Sequence, residues 1–360
     1  MATMSEVARH AGVALSTVSY MLSGDRPVSP ATKERIEQAM TELGYRPNAI
    51  ARSLASRRTR ILALHLPELD FTAGETVFEI VRGAYDRASE LGYLLSVWPI
   101  DVDRAPEELI DLVGQGHADG VLLVEVGIED RRIDALSEAD VPFLSIGRTG
   151  DTSRLPYVDI DFEATVREAL DELIELGHRD VALLGRSSAL EADGYAPAVR
   201  SHESFARIAG ERGIRHREYT VEASPQAGRA LARDLFSGED RPDAVIALND
   251  LAVVGLVNEL ALMGVELPRD LSVVTVVSSR RTGSMTTPTL AGWQGPGEEM
   301  GRRAVDGLLA RLDDPESAPS QVLVTCTRYH GDSVSDRRDP TSIPIPGTGS
   351  RDPRRPSDSS

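Results

Sequence analysis

The stretch Gly44-Tyr-Arg-Pro-Asn-Ala-Ile-Ala-Arg-Ser-Leu-Ala-Ser-Arg-Arg-Thr-Arg60 decides how the rest of the chain is interpreted. Asn48 is a good helix N-cap, and residues 49–55 are acceptable helix formers. A helix of about two turns is marginal in water, so it should form only when a partner packs against it. Taken alone, the stretch fits a basic linker as well as a conditional helix, and the neighbouring sequence must decide.

The side chains of this stretch indicate the partner that would fold it. Ile50 and Leu54 are four residues apart and therefore share one face of the helix. A basic conditional helix with an apolar edge suits the minor groove of DNA, where an apolar side chain can wedge between base steps. The basic residues that favour a polyanion are Arg52, Arg57, Arg58 and Arg60.

The distribution of charge supports that partner. The chain of 360 residues has a net charge of −18, which as a whole argues against nucleic acid. Residues 1–60, however, hold nine basic and five acidic side chains, a balance of +4 that leaves −22 to the remainder. A basic head on an acidic body is typical of a protein that contacts a polyanion through one region.

The composition predicts a soluble protein of two or more domains. No apolar run approaches the roughly 18 residues of a membrane span, and no apolar signal segment begins the chain. We therefore expect a cytoplasmic protein without membrane contact. Cys326 is the single cysteine, which excludes an intrachain disulfide and a multi-cysteine metal site. No cofactor is expected.

The N-terminal 47 residues predict three short helices. Thr3 and Glu6 form a capping box for the first helix, and Gly12 can take the left-handed conformation that ends it. The second helix covers about 15–22, and Ser29-Pro30 begins the third. Two helices across a tight turn, braced by a third, make a helix-turn-helix whose second helix enters the major groove. A protein-docking head is the alternative.

Three motifs resemble the LacI/GalR repressor family: residues 7–13 (VARHAGV), residues 16–19 (STVS) and residues 44–54 (GYRPNAIARSL). The resemblance extends to about residue 330. It implies a homodimer that binds a near-palindromic operator in double-stranded DNA, with Leu54 as the wedge. The DNA-binding residues expected from it and from the helix pattern are Leu15, Ser16, Thr17, Ser19, Tyr20, Asn48, Arg52 and Leu54.

Two departures from the family bear on the operator. Ala14 stands where a serine N-cap is usual, which costs the recognition helix about 1 kcal/mol. Tyr20 stands where arginine is common. Because arginine reads guanine with two hydrogen bonds and tyrosine has one hydroxyl, we expect the half-site to differ at that base.

Residues after 60 alternate apolar strands with amphipathic helices, which predicts parallel sheets covered on both faces. The fold class is therefore an all-α helix-turn-helix head plus an α/β body. By resemblance, the body consists of two doubly wound parallel-sheet subdomains, periplasmic-binding-protein-like, with a ligand cleft. The predicted divisions are a head at 1–47, a hinge at 48–59, a body at 60–330 and a disordered tail at 331–360. Within the body, 60–160 plus 292–319 form the first subdomain, and 161–291 plus 320–330 form the second.

Ligands of open α/β sheets bind beyond the carboxyl ends of the strands. Arg200 is one residue away from the family's effector-contacting arginine, and Asn249-Asp250 match its Asn-Asp pair. Each candidate also has a structural alternative, such as helix capping or a salt bridge. The effector-binding candidates are Phe71, Arg148, Asp161, Arg200, Asn249, Asp250 and Trp293.

One departure concerns the effector itself. The family commonly continues the strand near 271–276 with an aromatic residue and aspartates that hold sugar hydroxyls. Here the chain reads Val276-Val-Ser-Ser-Arg-Arg281. The missing carboxylate weakens a plain sugar assignment and permits an acidic or phosphorylated effector, or none.

These features predict a transcriptional repressor controlled by a small-molecule effector: a sugar, a sugar derivative or another metabolite. Inducer and corepressor fit equally well. The alternatives are an exported solute-binding protein of the same body fold and a cleft enzyme. Against an enzyme, the sequence lacks a phosphate loop, a dinucleotide fingerprint, H-E-x-x-H and G-x-S-x-G.

Overall fold

The structure is a computed structural model that describes residues 2–23, 26–45, 58–67, 74–153, 155–187, 194–238 and 240–338. Nearly all of the predicted hinge, including Asn48, Arg52 and Leu54, lies outside the described residues, as does Phe71.

The described residues of the head form three helices, α1 (Met4–Ala11), α2 (Leu15–Ser23) and α3 (Pro30–Glu42), as the sequence predicts. The capping box of Thr3 and Glu6 is present, and Gly12 has a φ of +64°. Ser29 caps α3 by accepting a hydrogen bond from the Thr32 N–H at 3.3 Å. Val7, Val18 and Ile36 are fully buried, one from each helix, and so give the head a core of its own.

The body alternates strands and helices, because apolar strand runs are separated by helices with one buried face. The strands are β1 Ile61–His65, β2 Leu94–Trp98, β3 Gly120–Leu123, β4 Phe143–Ile146, β5 Tyr157–Ile160, β6 Asp180–Ser187, β7 Arg215–Glu222, β8 Ala244–Ala247, β9 Ser272–Ser278, β10 Ala291–Gln294, β11 Gln321–Val324 and β12 Thr327–Tyr329. The helices are α4 Glu75–Glu90, α5 Ala105–Gly114, α6 Arg131–Glu138, α7 Phe162–Glu175, α8 Ala196–Arg212, α9 Pro225–Phe236, α10 Asp250–Leu262, α11 Arg280–Gly283 and α12 Gly297–Asp313.

These strands form two six-stranded sheets, in the orders β11-β5-β4-β3-β1-β2 and β12-β10-β9-β8-β6-β7. The described pairings are parallel except for β10 with β12, which is antiparallel. Strands β1, β3, β4 and β8 are almost wholly buried because helices cover both faces. This is the predicted pair of parallel-sheet subdomains.

Within the described residues of the body, the chain passes between the subdomains three times, at 160–162, 294–297 and 324–327. The first passage lies at the predicted position, and the other two lie a few residues after the predicted divisions at 291/292 and 319/320. The reason is that β10 pairs with β9 in the second sheet, whereas β11 pairs with β5 in the first. Residues 291–294 therefore belong to the second subdomain and 321–324 to the first.

The start of the predicted disordered tail is ordered. Ser333 is fully buried; its hydroxyl donates to the Val273 carbonyl at 2.5 Å and accepts from the Ala291 N–H at 2.9 Å. The Arg337 N–H donates to the Leu176 carbonyl at 2.8 Å. The prediction of disorder is thus corrected for residues 331–338, because hydrogen bonding to the second subdomain replaces the missing apolar pattern. Residues 339–360 lie outside the described residues.

Candidate functional site: an inter-subdomain cavity and an exposed head helix

A cavity of about 570 Å³ lies between the subdomains. Its wall is built at the carboxyl ends of strands from both sheets, where α/β proteins bind ligands. The first subdomain contributes the start of α4 and the ends of β3 and β4. The second contributes the ends of β6, β8 and β9 and the start of α8 and α10. The size is that of a small-molecule site.

Most side chains of the cavity wall are apolar, among them Val77, Phe78, Leu248, Val254 and Met285. The exposed fractions of Phe78 and Met285 are 54% and 57%, so these two residues lie at the mouth. The polar and charged lining residues are Glu75, Thr76, Glu125, Asp159, Arg186, Tyr195, Asn249, Asp250, Arg281 and Thr282.

The predicted pair Asn249-Asp250 lies in the cavity wall, but the two side chains form different kinds of hydrogen bonds. Asn249 caps α10, and its Oδ1 accepts from the Ala252 N–H at 3.1 Å. Its Nδ2 donates to carbonyls of the β6 and β7 ends, including Val221 O at 3.1 Å. The amide is therefore occupied by the fold, and an effector-binding role for Asn249 stays a prediction.

Asp250 and Glu75 bring two carboxylates together at one end of the cavity, one from each subdomain. Asp250 accepts hydrogen bonds from the hydroxyls of Ser278 at 2.5 Å and Thr282 at 3.4 Å. Glu75 accepts from the Ser279 hydroxyl across the subdomain boundary. Burial, and to a lesser degree the charge of Glu75, raises the pKa of Asp250. This end of the cavity therefore offers hydrogen-bond acceptors.

Glu125 and Tyr195 are two further polar residues of the cavity wall. Burial raises the pKa of the Tyr195 hydroxyl, and the charge of Glu125 raises it further. Glu125 has a φ of +53°, a conformation that a non-glycine residue adopts only when its surroundings impose it.

A buried arginine binds the backbone on both sides of this φ angle. The Arg132 guanidinium donates to the carbonyls of Val124 at 3.1 Å and Glu125 at 2.9 Å, and it pairs with Asp130 at 2.6 Å. It also contacts His65 Nδ1 at 2.9 Å. Burial, with the neighbouring Arg132 charge, lowers the pKa of His65 to about 4, so the ring is neutral. Sequence reasoning missed this unit, since His65 and Arg132 are 67 residues apart.

Four other effector candidates lie outside the cavity wall. Asp161 caps α7 by accepting from the Ala164 N–H at 2.9 Å. Trp293 is 2% exposed, and its indole donates to Glu168 at 2.9 Å. Both lie at passages between the subdomains. Arg148 pairs with Asp159 at 2.7 Å, and Arg200 donates to backbone carbonyls of the first subdomain.

The two arginines after β9 take separate positions. Arg280 lies over the Tyr329 ring, with its guanidinium carbon 5.5 Å from the centroid. Arg281 lines the cavity, 3.9 Å from Glu75 Oε1, with 76% of its side chain exposed. They do not form a joint anion site.

The head presents α2 to solvent. Leu15 is 51% exposed and Ser16 is exposed, whereas Thr17, Ser19 and Tyr20 are partly exposed. Arg26 lies over the Tyr20 ring at 5.1 Å. These five predicted DNA contacts thus lie together on the second helix of the helix-turn-helix.

The described ranges lack two further kinds of feature. They contain no helix long and apolar enough to cross a membrane. They also contain no cluster of three or more His, Cys, Asp or Glu side chains arranged to hold a metal ion.

A helix-turn-helix head on a periplasmic-binding-protein-like body with a central cavity defines a DNA-binding regulator with an effector-binding domain. Residues 3–48 match the profile of bacterial regulatory proteins of the lacI family, and residues 170–334 match that of a periplasmic binding protein-like domain. The chain belongs to the LacI/GalR family of bacterial transcriptional regulators.

Individual relatives agree along almost the whole chain. The HTH-type transcriptional regulator CelR of Thermobifida fusca is 31% identical over 336 residues, covering 89% of this chain and 95% of the relative. Catabolite control protein A of Priestia megaterium is 27% identical over 329 residues, with the same shares of 89% and 95%.

Two solved structures show the same architecture. The transcriptional regulator CelR-cellobiose complex is 28% identical, with a TM-score of 0.68 over 92% of this chain and 100% of that one. The lac repressor dimer bound to operator and the anti-inducer ONPF is 23% identical. Its TM-score is 0.76 over 93% of this chain and 99% of that one.

Proposed function

We propose that this protein is a repressor that binds a near-palindromic operator in double-stranded DNA as a homodimer, under the control of a small molecule in the inter-subdomain cavity. The observation that carries the proposal is the combination of a solvent-facing α2 in a basic head with a cavity built from both subdomains. The protein then acts by binding and not by turnover, in the cytoplasm where its DNA target lies.

Exposed apolar side chains support the homodimer. Away from the cavity, Tyr85 on α4 is 56% exposed and Leu262 on α10 is 82% exposed. One of these helices belongs to each subdomain. Large exposed apolar side chains are typical of interaction surfaces, and a second copy of the chain would cover them.

The cavity favours a neutral effector that donates hydrogen bonds and has an apolar face. Glu75, Glu125 and Asp250 supply acceptors, while Val77 and Leu248 supply apolar surface. A sugar or sugar derivative has these properties, and the relative CelR is known in complex with cellobiose. An acidic or phosphorylated effector is less well supported, because four carboxylates and only two arginines, Arg186 and Arg281, are among the lining residues, and Arg281 is next to Glu75.

Control would operate by linkage between the two sites. An effector that favours one arrangement of the subdomains changes the positions of the two hinges in the dimer, and so the ease with which they become helical on DNA. A typical coupling free energy is about 1–3 kcal/mol, which changes operator affinity about 5- to 150-fold.

The test is a selection of binding sites from randomised DNA with the full-length protein, followed by anisotropy titrations with neutral and phosphorylated sugars. We expect a near-palindromic consensus and a change in affinity with a neutral sugar. Binding that does not discriminate among sequences would overturn the repressor assignment, and a sugar bound without any DNA preference would favour the solute-binding alternative. If a screen of substrates finds turnover, loss of that activity in Asp250→Ala would support the enzyme alternative.

A further inference from the structure

Arg200 joins the two subdomains instead of lining the cavity. Its Nη2 donates to the carbonyls of Arg148 at 3.0 Å and Thr149 at 2.6 Å. Arg200 belongs to α8 in the second subdomain, whereas 148–149 follow β4 in the first. Neighbouring positions on a helix point about 100° apart around its axis. The next residue, Ser201, therefore lies on a different face of α8 from Arg200, where it is fully buried and its hydroxyl donates to Pro197 O.

Backbone pairing reinforces this junction. The Ile128 N–H donates to Gly194 O at 2.7 Å, and the Ala196 N–H donates to Val126 O at 3.2 Å. These two bonds form a short antiparallel bridge between a loop of the first subdomain and the start of α8. The Gly150 N–H donates to Ile128 O at 2.8 Å and ties the two loops of the first subdomain together.

Asp159 lies beside the same junction and binds the Arg148 side chain. Its side chain is 4% exposed and accepts from Arg148 Nε at 2.7 Å. The same carboxylate lies 3.8 Å from Arg200 Nε. Hydrogen bonds from a guanidinium to buried acceptors are among the stronger ones in proteins, and these can form only while the subdomains are together.

We propose that Arg200, its two carbonyl acceptors and the backbone pairs of 126–128 with 194–196, together called the clasp, hold one side of the cavity shut without an effector. The inference rests on the proposed function, since the clasp would control the cavity that is proposed as the effector site. The clasp thus keeps the two subdomains in one relative arrangement before the effector binds. A weakened clasp lowers apparent effector affinity in proportion to the fraction of molecules in the binding arrangement.

The test is amide hydrogen exchange with small-angle scattering on the full-length protein, without DNA or effector. In Arg200→Ala we expect exchange at Ile128 and Ala196 to rise about tenfold or more, as for the loss of a charged hydrogen bond, and the radius of gyration to increase. Arg207→Ala is the matched control, because Arg207 lies on the same helix and pairs with Glu163 and Glu211 inside the second subdomain.

Unchanged exchange at Ile128 and Ala196 in Arg200→Ala, with β3 and β6 still protected, overturns the clasp. If Arg200→Ala does not fold, exchange at the same two amides is measured in Arg200→Gln, because glutamine keeps most of the aliphatic part of the arginine side chain. Neither outcome depends on DNA or sugar. Failure of the clasp would therefore leave the repressor proposal standing, and failure to find an operator would leave the clasp testable.

Discussion

Arg26 lies with its guanidinium carbon 5.1 Å from the centroid of the Tyr20 ring, at the exposed helix of the head. The contact brings a positive charge beside a residue that replaces the family's common arginine. A cation over an exposed aromatic ring is worth about 0.5–1 kcal/mol, enough to bias the orientation of both side chains.

Tyr20→Arg should change the preferred base at one position of each half-site, because arginine donates two hydrogen bonds to guanine and tyrosine does not. Discrimination of about 1–3 kcal/mol is expected at that position. A randomised-operator selection with both proteins measures it. An identical consensus would remove Tyr20 from the base-reading residues; Thr41→Ala, on the third helix, is the control.

Leu54→Ala should weaken specific operator binding by a few kcal/mol and leave nonspecific binding nearly unchanged, since the wedge acts only on a kinked duplex. Anisotropy titrations on the selected operator and on random DNA at the same salt concentration make the comparison. Equal losses on the two DNAs would contradict the wedge.

Acidification should destabilise the first subdomain through His65. The folded-state pKa is about 4, below the ordinary value of 6.5. The unfolded chain therefore binds the proton more tightly, so the stability contributed by the neutral ring is present above pH 6.5 and is lost as the pH falls towards 4. The full effect is on the order of 3 kcal/mol.

Urea unfolding at pH 7 and pH 5 measures this loss, and His65→Gln should show a smaller difference between the two conditions. His117→Gln, at an exposed position, should behave as the unmodified protein does. An equal drop in the free energy of unfolding for all three proteins would show that other groups dominate.

Asp250→Asn should lower the affinity for a neutral sugar effector about tenfold or more, because the carboxylate is a buried acceptor in the proposed site. Calorimetric titration with the first sugar found in the screen provides the measurement. Asp171→Asn, which removes a surface partner of Arg212, is the control. Equal affinity of both variants would place the effector elsewhere.

Local signals in the sequence predicted the head well, since the capping box, Gly12 and Ser29-Pro30 each act within a few residues. Apolar strands such as β3 and β8 were equally readable. Strand β7, Arg215–Glu222, was not predicted, because it is an edge strand with charged residues on its exposed face. β10 and β11 have only four residues each, and β11 alternates exposed with half-buried residues, which left the last two passages misplaced.

The site was less predictable than the fold. Asn249-Asp250 follow a strand directly, and their location in the cavity wall follows from that position. Arg132 and Arg200 donate hydrogen bonds to backbone carbonyls that the tertiary fold brings near them. No spacing in the sequence therefore indicates their roles. Glu75 lines the cavity with Asp250 only because two subdomains meet.

The pairing of β11 with β5 and of β12 with β10 also sets the point in translation at which all strands of both sheets have been made. Each half of the body receives its closing strand from residues 321–329, near the end of the described chain. Neither sheet therefore has all of its strands until this segment has been made, and a chain that stopped before residue 321 would lack an edge strand in both sheets.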